Sequence, residues 1–206
     1  MRQGRLLLPT ALLLATLAGV SANPRADATQ DPKDDHPGVV LDTTAGPITI
    51  ELDRGKAPIS VENFLKYVDK GFYDNLAVHR VIPGFMIQTG GMQDLNGTLQ
   101  EKKEGAFPPI KNESGNGLSN ARGTIAMART DNPNSATSQF FINHGSNAQL
   151  DNYRGGYAVF GRVTEGMDVV DAIAKSETTT KSDANGQPHG DVPVKPIVVK
   201  SARRKP

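Results

Sequence analysis

The chain has 206 residues, 37% of them hydrophobic and 22% charged, with a formal net charge of +1. That suits one globular domain with short extensions, and the even charge balance leaves no electrostatic footprint for nucleic acid. The absence of cysteine excludes disulfides, thiol nucleophiles, thiolate metal sites and a lipidated cysteine anchor.

The N-terminus reads "MRQGRLLLPTALLLATLAGVSA". Two arginines, an apolar run from Leu6 to Val20 and then small residues are the three parts of a secretory signal. The run is short for a spanning helix, which needs about 20 residues. Val20-Ser21-Ala22 fits a cleavage site, with Ala26-Asp27-Ala28 as a second candidate; a retained N-terminal anchor is the alternative. Cleavage after Ala22 removes Arg2 and Arg5, takes the net charge from +1 to −1 and leaves no stable membrane insertion. The expected division is a signal at 1–22, a disordered, proline-broken spacer at 23–37, one domain at 38–202 and a basic tail at 203–206.

Within the domain, "VVLDTTAGPITIELD" gives two β-rich runs around Ala45-Gly46-Pro47, a hairpin. "APISVENFLKYVDKGFYDN" is helical: Val61, Phe64, Leu65 and Val68 recur at helical spacing, Ser60 is the N-cap candidate, Glu62 falls in the first turn and Gly71 ends it. Strands are predicted at 123–128, 139–143 and 157–163, a second helix at 166–177, a long polar loop at 178–191 and a closing strand at 192–202. Many short strands with two helices suggest an antiparallel barrel or sandwich with helices plugging its ends.

The stretch "VHRVIPGFMIQTGG" at 78–91 carries the chemistry. By strand alternation Val78, Arg80 and Ile82 share one face, with His79 and Val81 on the other. Across the Pro83-Gly84 turn, Met86 and Gln88 can join Arg80 on one surface. In "SQFFIN", Gln139 and Phe141 share a face. An arginine in an apolar groove, with no nucleophile nearby, suits amide rotation. Twisting a peptide bond returns the lone pair to nitrogen, and a donor aimed there stabilises the transition state alone. The four histidines at 36, 79, 144 and 189 show no metal-ligand spacing. No cofactor is expected, and His79 reads as structural.

"VHRVIPGFMIQTGG", "GTIAMARTDNPNSATSQFFIN" and "YAVFGRV" together resemble the cyclophilin family of peptidyl-prolyl cis/trans isomerases, from about Val39 to Val199. "PPIKNES", the Ala-Arg-Thr of "MART" and the leader look most like its bacterial periplasmic branch. The resemblance implies a mainly β fold, a closed eight-stranded antiparallel β-barrel with two capping α-helices and an active groove on its outer surface. It implies that Arg80 is the catalytic arginine and that Phe85, Met86, Phe141 and Leu150 form the proline pocket. Gln88 and Gln139 would orient Arg80 and the substrate backbone. Ala128, Arg129 and Thr130 would pair with the peptide, Arg129 through its backbone, so that its side chain should matter little. Two positions depart from many eukaryotic members: Gln149 stands where they have Trp, and Tyr157 where they have a groove His.

The implied function is folding of exported proteins in the periplasm by a monomer. Its partners would be proline-containing unfolded or partly folded polypeptides, with no nucleic acid among them. Two alternatives stand beside it. One is a non-catalytic chaperone that holds proline segments in the same groove. The other is a barrel carrying a small ligand in its lumen. Asn96-Gly97-Thr98 and Asn112-Glu113-Ser114 also match the glycosylation pattern.

Overall fold

The computed structural model describes Met1 and residues 34–206. The expected leader and most of the expected spacer lie outside the described residues. The end of that spacer is tied to the domain: Leu52 donates to the Pro37 carbonyl at 3.0 Å and Arg54 to that of Asp35 at 2.9 Å.

The hairpin of β1 (Gly38–Thr43) and β2 (Gly46–Leu52) is followed by α1 (Pro58–Asp69). Then come β3 (Leu76–Ala77), β4 (Arg80–Ile82), β5 (Met86–Thr89), β6 (Met92–Leu95), β7 (Thr98–Glu101), β8 (Thr124–Met127) and β9 (Phe140–Asn143). After β10 (Val159–Glu165) and α2 (Met167–Ala174), the chain ends with β11 (Thr178–Ser182), β12 (Pro188–Pro193) and β13 (Val198–Arg204). In place of the closed eight-stranded barrel there is one curled nine-stranded sheet, ordered β3-β13-β1-β2-β10-β8-β9-β5-β4. All its pairings are antiparallel. Among the described residues no ladder joins its edges β3 and β4. The chain crosses that seam itself, Val78 donating to Ile197 on one side at 2.8 Å and His79 to Gln88 on the other at 3.0 Å. This break interrupts the pleat, so Val78, expected beside Arg80, lies with Val81 in the core.

The inner face of the sheet is closed by the two helices and filled. Phe64 of α1 meets Tyr73, Phe140 and Phe160 at centroid distances of 5.2–5.3 Å. The hollow between Leu41, Ile48, Ile87 and Ile173 measures about 10 Å³, at the limit for a single water. A ligand carried in the lumen has no room there.

The ends of α1 show how distant parts of the chain are bound together. The helix starts at Pro58, with Ala57 at the N-cap and no side-chain cap from its own sequence. The expected cap, Ser60, lies inside the first turn, and Glu62 lies beyond it. Glu113 supplies the acceptor instead. Its carboxylate takes the backbone N–H groups of Ile59 (2.9 Å) and Ser60 (2.7 Å) and the Ser60 hydroxyl (2.7 Å). At the other end Gly71, at φ +62°, closes a Schellman turn in which Gly71 donates to Val68 and Phe72 to Tyr67. The Phe72 and Tyr67 rings pack at 4.7 Å beside it.

The stretch 178–191 is a hairpin, β11–β12, rather than a loop. Its strands carry little apolar alternation, so periodicity could not show them. What holds them is tertiary. Lys181 and Asp94 of β6 form an ion pair at 2.6 Å with side chains only 10% and 3% exposed, and Val192 packs with Met92 and Leu99. The predicted closing strand is accordingly split, its first two residues ending β12 and the remainder starting at Val198. The β13 strand also runs through Arg204, so Arg203 and Arg204 belong to the domain rather than to a tail, pairing with Asp74 and Asp69 at 2.6 Å.

Replacing Glu113 with Ala leaves two helix-start N–H groups and a hydroxyl without their acceptor. Loss of a cap costs about 1–2 kcal/mol. A urea titration of Glu113→Ala should show a lower midpoint with unchanged slope; an unchanged midpoint would remove Glu113 as the cap.

Candidate active site

Backbone register assembles the site. Arg80 stands opposite Gln88, Gln88 opposite Phe141, Phe141 opposite Ala126 and Ala126 opposite Val159. Neighbours across a ladder share a face, so one row crosses β4, β5, β9, β8 and β10 on the outer surface. The next row, Val81, Ile87, Ile142 and Ile125, points inward and belongs to the core. Two residues further along β4–β5, Ile82 faces Met86. The turn between them, Pro83-Gly84, has Gly84 at φ +75° and Phe85 donating to Ile82 at 3.0 Å, as a type II turn requires. Met86, Ala126, Phe141, Leu150 and Val159 form an outer apolar cluster separate from the core.

On this cluster lies a hollow of about 120 Å³, lined by Arg80, Phe85, Met86, Gln88, Ala128, Arg129, Phe141, Leu150 and Tyr157. These are nine of the eleven residues singled out from the sequence. Gln139 lies behind them and accepts a hydrogen bond from Gln88 Nε2 at 2.9 Å. Thr130 is outside the lining, its N–H bonded to Ser135 Oγ at 2.9 Å. The two glutamines are thus bonded to each other. The partner found at the Arg80 guanidinium is Asp191 on β12, with Nε 3.8 Å from Oδ2 and the arginine side chain 43% exposed. That distance is an ion contact too long for a hydrogen bond, so Asp191 does not occupy the donors of the fork.

The residues that fix the walls at Phe85 and Leu150 lie outside the motifs at 78–91, 123–143 and 157–163. Phe85 is held through its carbonyl, which accepts from His144, Gly145 and Asn147 Nδ2. The approach at Gly145 is so close that a Cβ there would lie 1.9 Å from the Gly84 oxygen. Leu150 rides on a short 3-10 turn, Ala148–Asp151. The Asp151 carboxylate of that turn accepts from Asn120 N and Nδ2, both at 2.8 Å, and from Ser119. Burial pushes this carboxyl up, yet the bonds from Ser119 and Asn120 outweigh it and hold it below the usual range. Asp191 was missed because it sits at φ +60° in a hairpin that the sequence presents as a polar loop. The Arg129 side chain, expected to be idle, bonds to four main-chain carbonyls. Among the described residues no group of three or more His, Asp or Glu side chains is arranged to hold a metal ion.

Residues 39–204 match the family model described as "Cyclophilin type peptidyl-prolyl cis-trans isomerase/CLD". Peptidyl-prolyl cis-trans isomerase A of Dickeya dadantii is 51% identical over 80% of this chain and 83% of its own. Peptidyl-prolyl cis-trans isomerase B of Escherichia coli is 47% identical over 79% of this chain and 96% of its own. The fold is similar to a crystal structure of a Cryptosporidium parvum cyclophilin-type isomerase in the presence of the dipeptide Ala-Pro. There the TM-score is 0.67 at 27% identity, covering 82% of this chain and 99% of that one.

His79, beside the row and 6% exposed, is held neutral. Burial pushes it down to about 4, the charges of His189 and Arg80 add to this, and the Ala77 backbone and the Gln139 side chain offset only part of it. An unfolded histidine titrates near about 6.5. Between these values the unfolded chain binds more protons, so this contribution is complete above about pH 6.5 and is lost as pH falls towards 4, roughly 3 kcal/mol in all. Urea midpoints of the wild type should therefore drop more between about pH 7 and 4.5 than those of His79→Gln. Parallel losses in the two proteins would exclude His79 as the source.

Proposed function

The chain belongs to the cyclophilin-type peptidyl-prolyl cis-trans isomerases and is an enzyme of that class, and we propose that Arg80 drives the rotation while the hollow beside it grips the proline ring. The observation that carries this reading is the outward row. It places a guanidinium with uncommitted donors at the edge of an apolar hollow of about 120 Å³, a size suited to one small ring.

The barrier to rotating an amide is about 18–20 kcal/mol because the nitrogen lone pair is delocalised into the carbonyl. At the perpendicular geometry that lone pair is localised on the prolyl nitrogen. An arginine stays protonated at any physiological pH and offers a rigid fork of donors. A bond formed only at that geometry lowers the barrier without tightening the ground state. One such preorganised donor supplies about 3–4 kcal/mol. Met86, Phe141 and Leu150 hold the ring by apolar contact while the carbonyl side turns. No covalent bond is made or broken, and no group has to gain or lose a proton.

The proposed substrates are X-Pro segments of unfolded or partly folded polypeptides, in keeping with the dipeptide in the Cryptosporidium structure. The leader read at 1–22 makes the proposed workplace the periplasm, where slow X-Pro isomerisation limits folding.

Arg80→Ala should lower kcat/KM on an X-Pro peptide by about two decades or more with the unfolding midpoint preserved. Arg80→Lys should recover little, since a point charge does not reproduce the fork. Catalysis within about threefold of wild type in the alanine variant would remove Arg80 as the source of the rate, whereas a wild type that binds the peptide without speeding its exchange would favour the holding chaperone.

Intact-mass analysis of the exported protein should give a chain beginning at Asn23. A species retaining Met1 and sedimenting with membranes would show that 1–22 is an anchor.

A further inference from the structure

We propose that the Arg129 side chain is a positioning residue that sets the affinity of the proline pocket. It gathers the carbonyls of Tyr153, Arg154 and Gly156 in the loop 153–156 and stacks against Tyr157, and takes no part in the rotation itself. This inference rests on the reading of the hollow as the proline pocket.

The loop has an unusual conformation. Arg154 (φ 49°), Gly155 (91°) and Gly156 (77°) are three successive residues in the left-handed region, one of them carrying a side chain that disfavours it. All four carbonyls from Tyr153 to Gly156 find side-chain donors. Arg129 Nη2 reaches Tyr153 and Arg154, both at 3.0 Å, and Nε reaches Gly156 at 3.0 Å. Asn112 Nδ2 takes Gly155 (3.0 Å) and Gly156 (3.1 Å), with Ser114 Oγ also on Gly155. Nη1 is bonded to the Thr130 carbonyl at 2.8 Å. Four carbonyls thus take four of the five guanidinium N–H donors, three of them on the loop.

The same guanidinium lies 4.2 Å from the centroid of the Tyr157 ring. On its other contact, that ring meets Phe141 edge-on, at 5.8 Å and 73°. Tyr157 is further pinned by its N–H to Leu150 and by its carbonyl to Asn120. The sequence of contacts runs from loop carbonyls to guanidinium, to the Tyr157 ring and to the pocket floor. Without the guanidinium, the carbonyls of Tyr153, Arg154 and Gly156 lose a charged donor and the ring loses its backing. The wall then widens, and a proline ring makes fewer contacts in both ground and transition states. Such uniform loss weakens binding and leaves the bound rate unchanged. Lysine carries the charge but cannot span the carbonyls and lie flat on the ring.

The experiment measures the Kd for an X-Pro peptide by titration and the cis/trans exchange rate at saturation by NMR, for wild type, Arg129→Ala, Arg129→Lys, Tyr157→Ala, the double variant Arg129→Ala/Tyr157→Ala, and Arg80→Ala. Arg129→Ala and Tyr157→Ala should each raise Kd about tenfold with the saturated rate within about threefold, and Arg129→Lys should recover little. The double variant should bind no more weakly than Tyr157→Ala alone, since the two act as one unit. The Tyr157 ring resonances of Arg129→Lys should shift while its unfolding midpoint stays near wild type. An unchanged Kd in Arg129→Ala, a fall in the saturated rate at unchanged Kd, or additive losses in the double variant would overturn the proposal. If Arg80→Ala keeps its exchange rate, the assignment of Arg80 fails independently of these results.

Discussion

The strict alternation of side chains across an antiparallel ladder governs nearly everything else in this molecule. Residues directly opposite one another point to the same face. Once Arg80 is paired with Gln88 and Gln88 with Phe141, the guanidinium, amide and ring cannot avoid a common surface. Their sequence neighbours Val81, Ile87 and Ile142 are driven inward by the same rule. A slip of one residue between β5 and β9 would exchange the two sets. The core then specifies the site: Ile87, Ile142 and Ile125 must be buried, and the outward row follows from them.

That coupling explains how an apolar patch persists on the outside of the sheet. Met86, Phe141 and Leu150 are each 9% exposed or less, because short irregular segments stand around them as walls. These walls are held by more than the ladders of the sheet. Phe85 hangs on Asn147 and the turn after β9, Leu150 on the bonds of Asp151 to Ser119 and Asn120, and Tyr157 on Arg129. Buried polar groups are costly unless bonded, and a fully satisfied network fixes one arrangement. The floor is therefore fixed by hydrophobic register and the walls by hydrogen bonds.

Electrostatics divides the arginines near the hollow by what surrounds them. Arg129 has its donors consumed by carbonyls. Arg80 faces a single carboxylate at 3.8 Å, an exposed contact of small energetic worth that leaves the fork available. The hairpin bearing that carboxylate is anchored by the Lys181–Asp94 pair, taken out of water on both sides. Such a pair contributes little net stability, but breaking it strands a buried charge, so it fixes where β12 lies. Asp191 reaches the groove through this anchorage.

Much of the fold and of the pocket floor was legible in the sequence because both depend on local periodicity. The spacing of Val61, Phe64, Leu65 and Val68 marks α1, and Gly71 ends it for a reason contained in glycine itself. The alternation around Arg80, Met86 and Phe141 points to one face, and the three motifs in order mark the family. What only the tertiary structure decided involves partners far apart along the chain. Glu113 caps a helix that begins at Pro58, and no local pattern in "VENFLKYVD" could show it. The hairpin at 178–193 carries too little apolar alternation to read as strands, since its stability comes from Asp94 and Leu99. The sheet has nine strands and a seam because the chain bends at Val78-His79, which also turned Val78 inward against its alternation. Arg129 looked idle because its acceptors, the carbonyls of Thr130, Tyr153, Arg154 and Gly156, have no sequence signature at all. Periodicity and turn chemistry act between near neighbours and are written in residue types. Backbone acceptors and long-range ion pairs exist only once the chain has closed on itself.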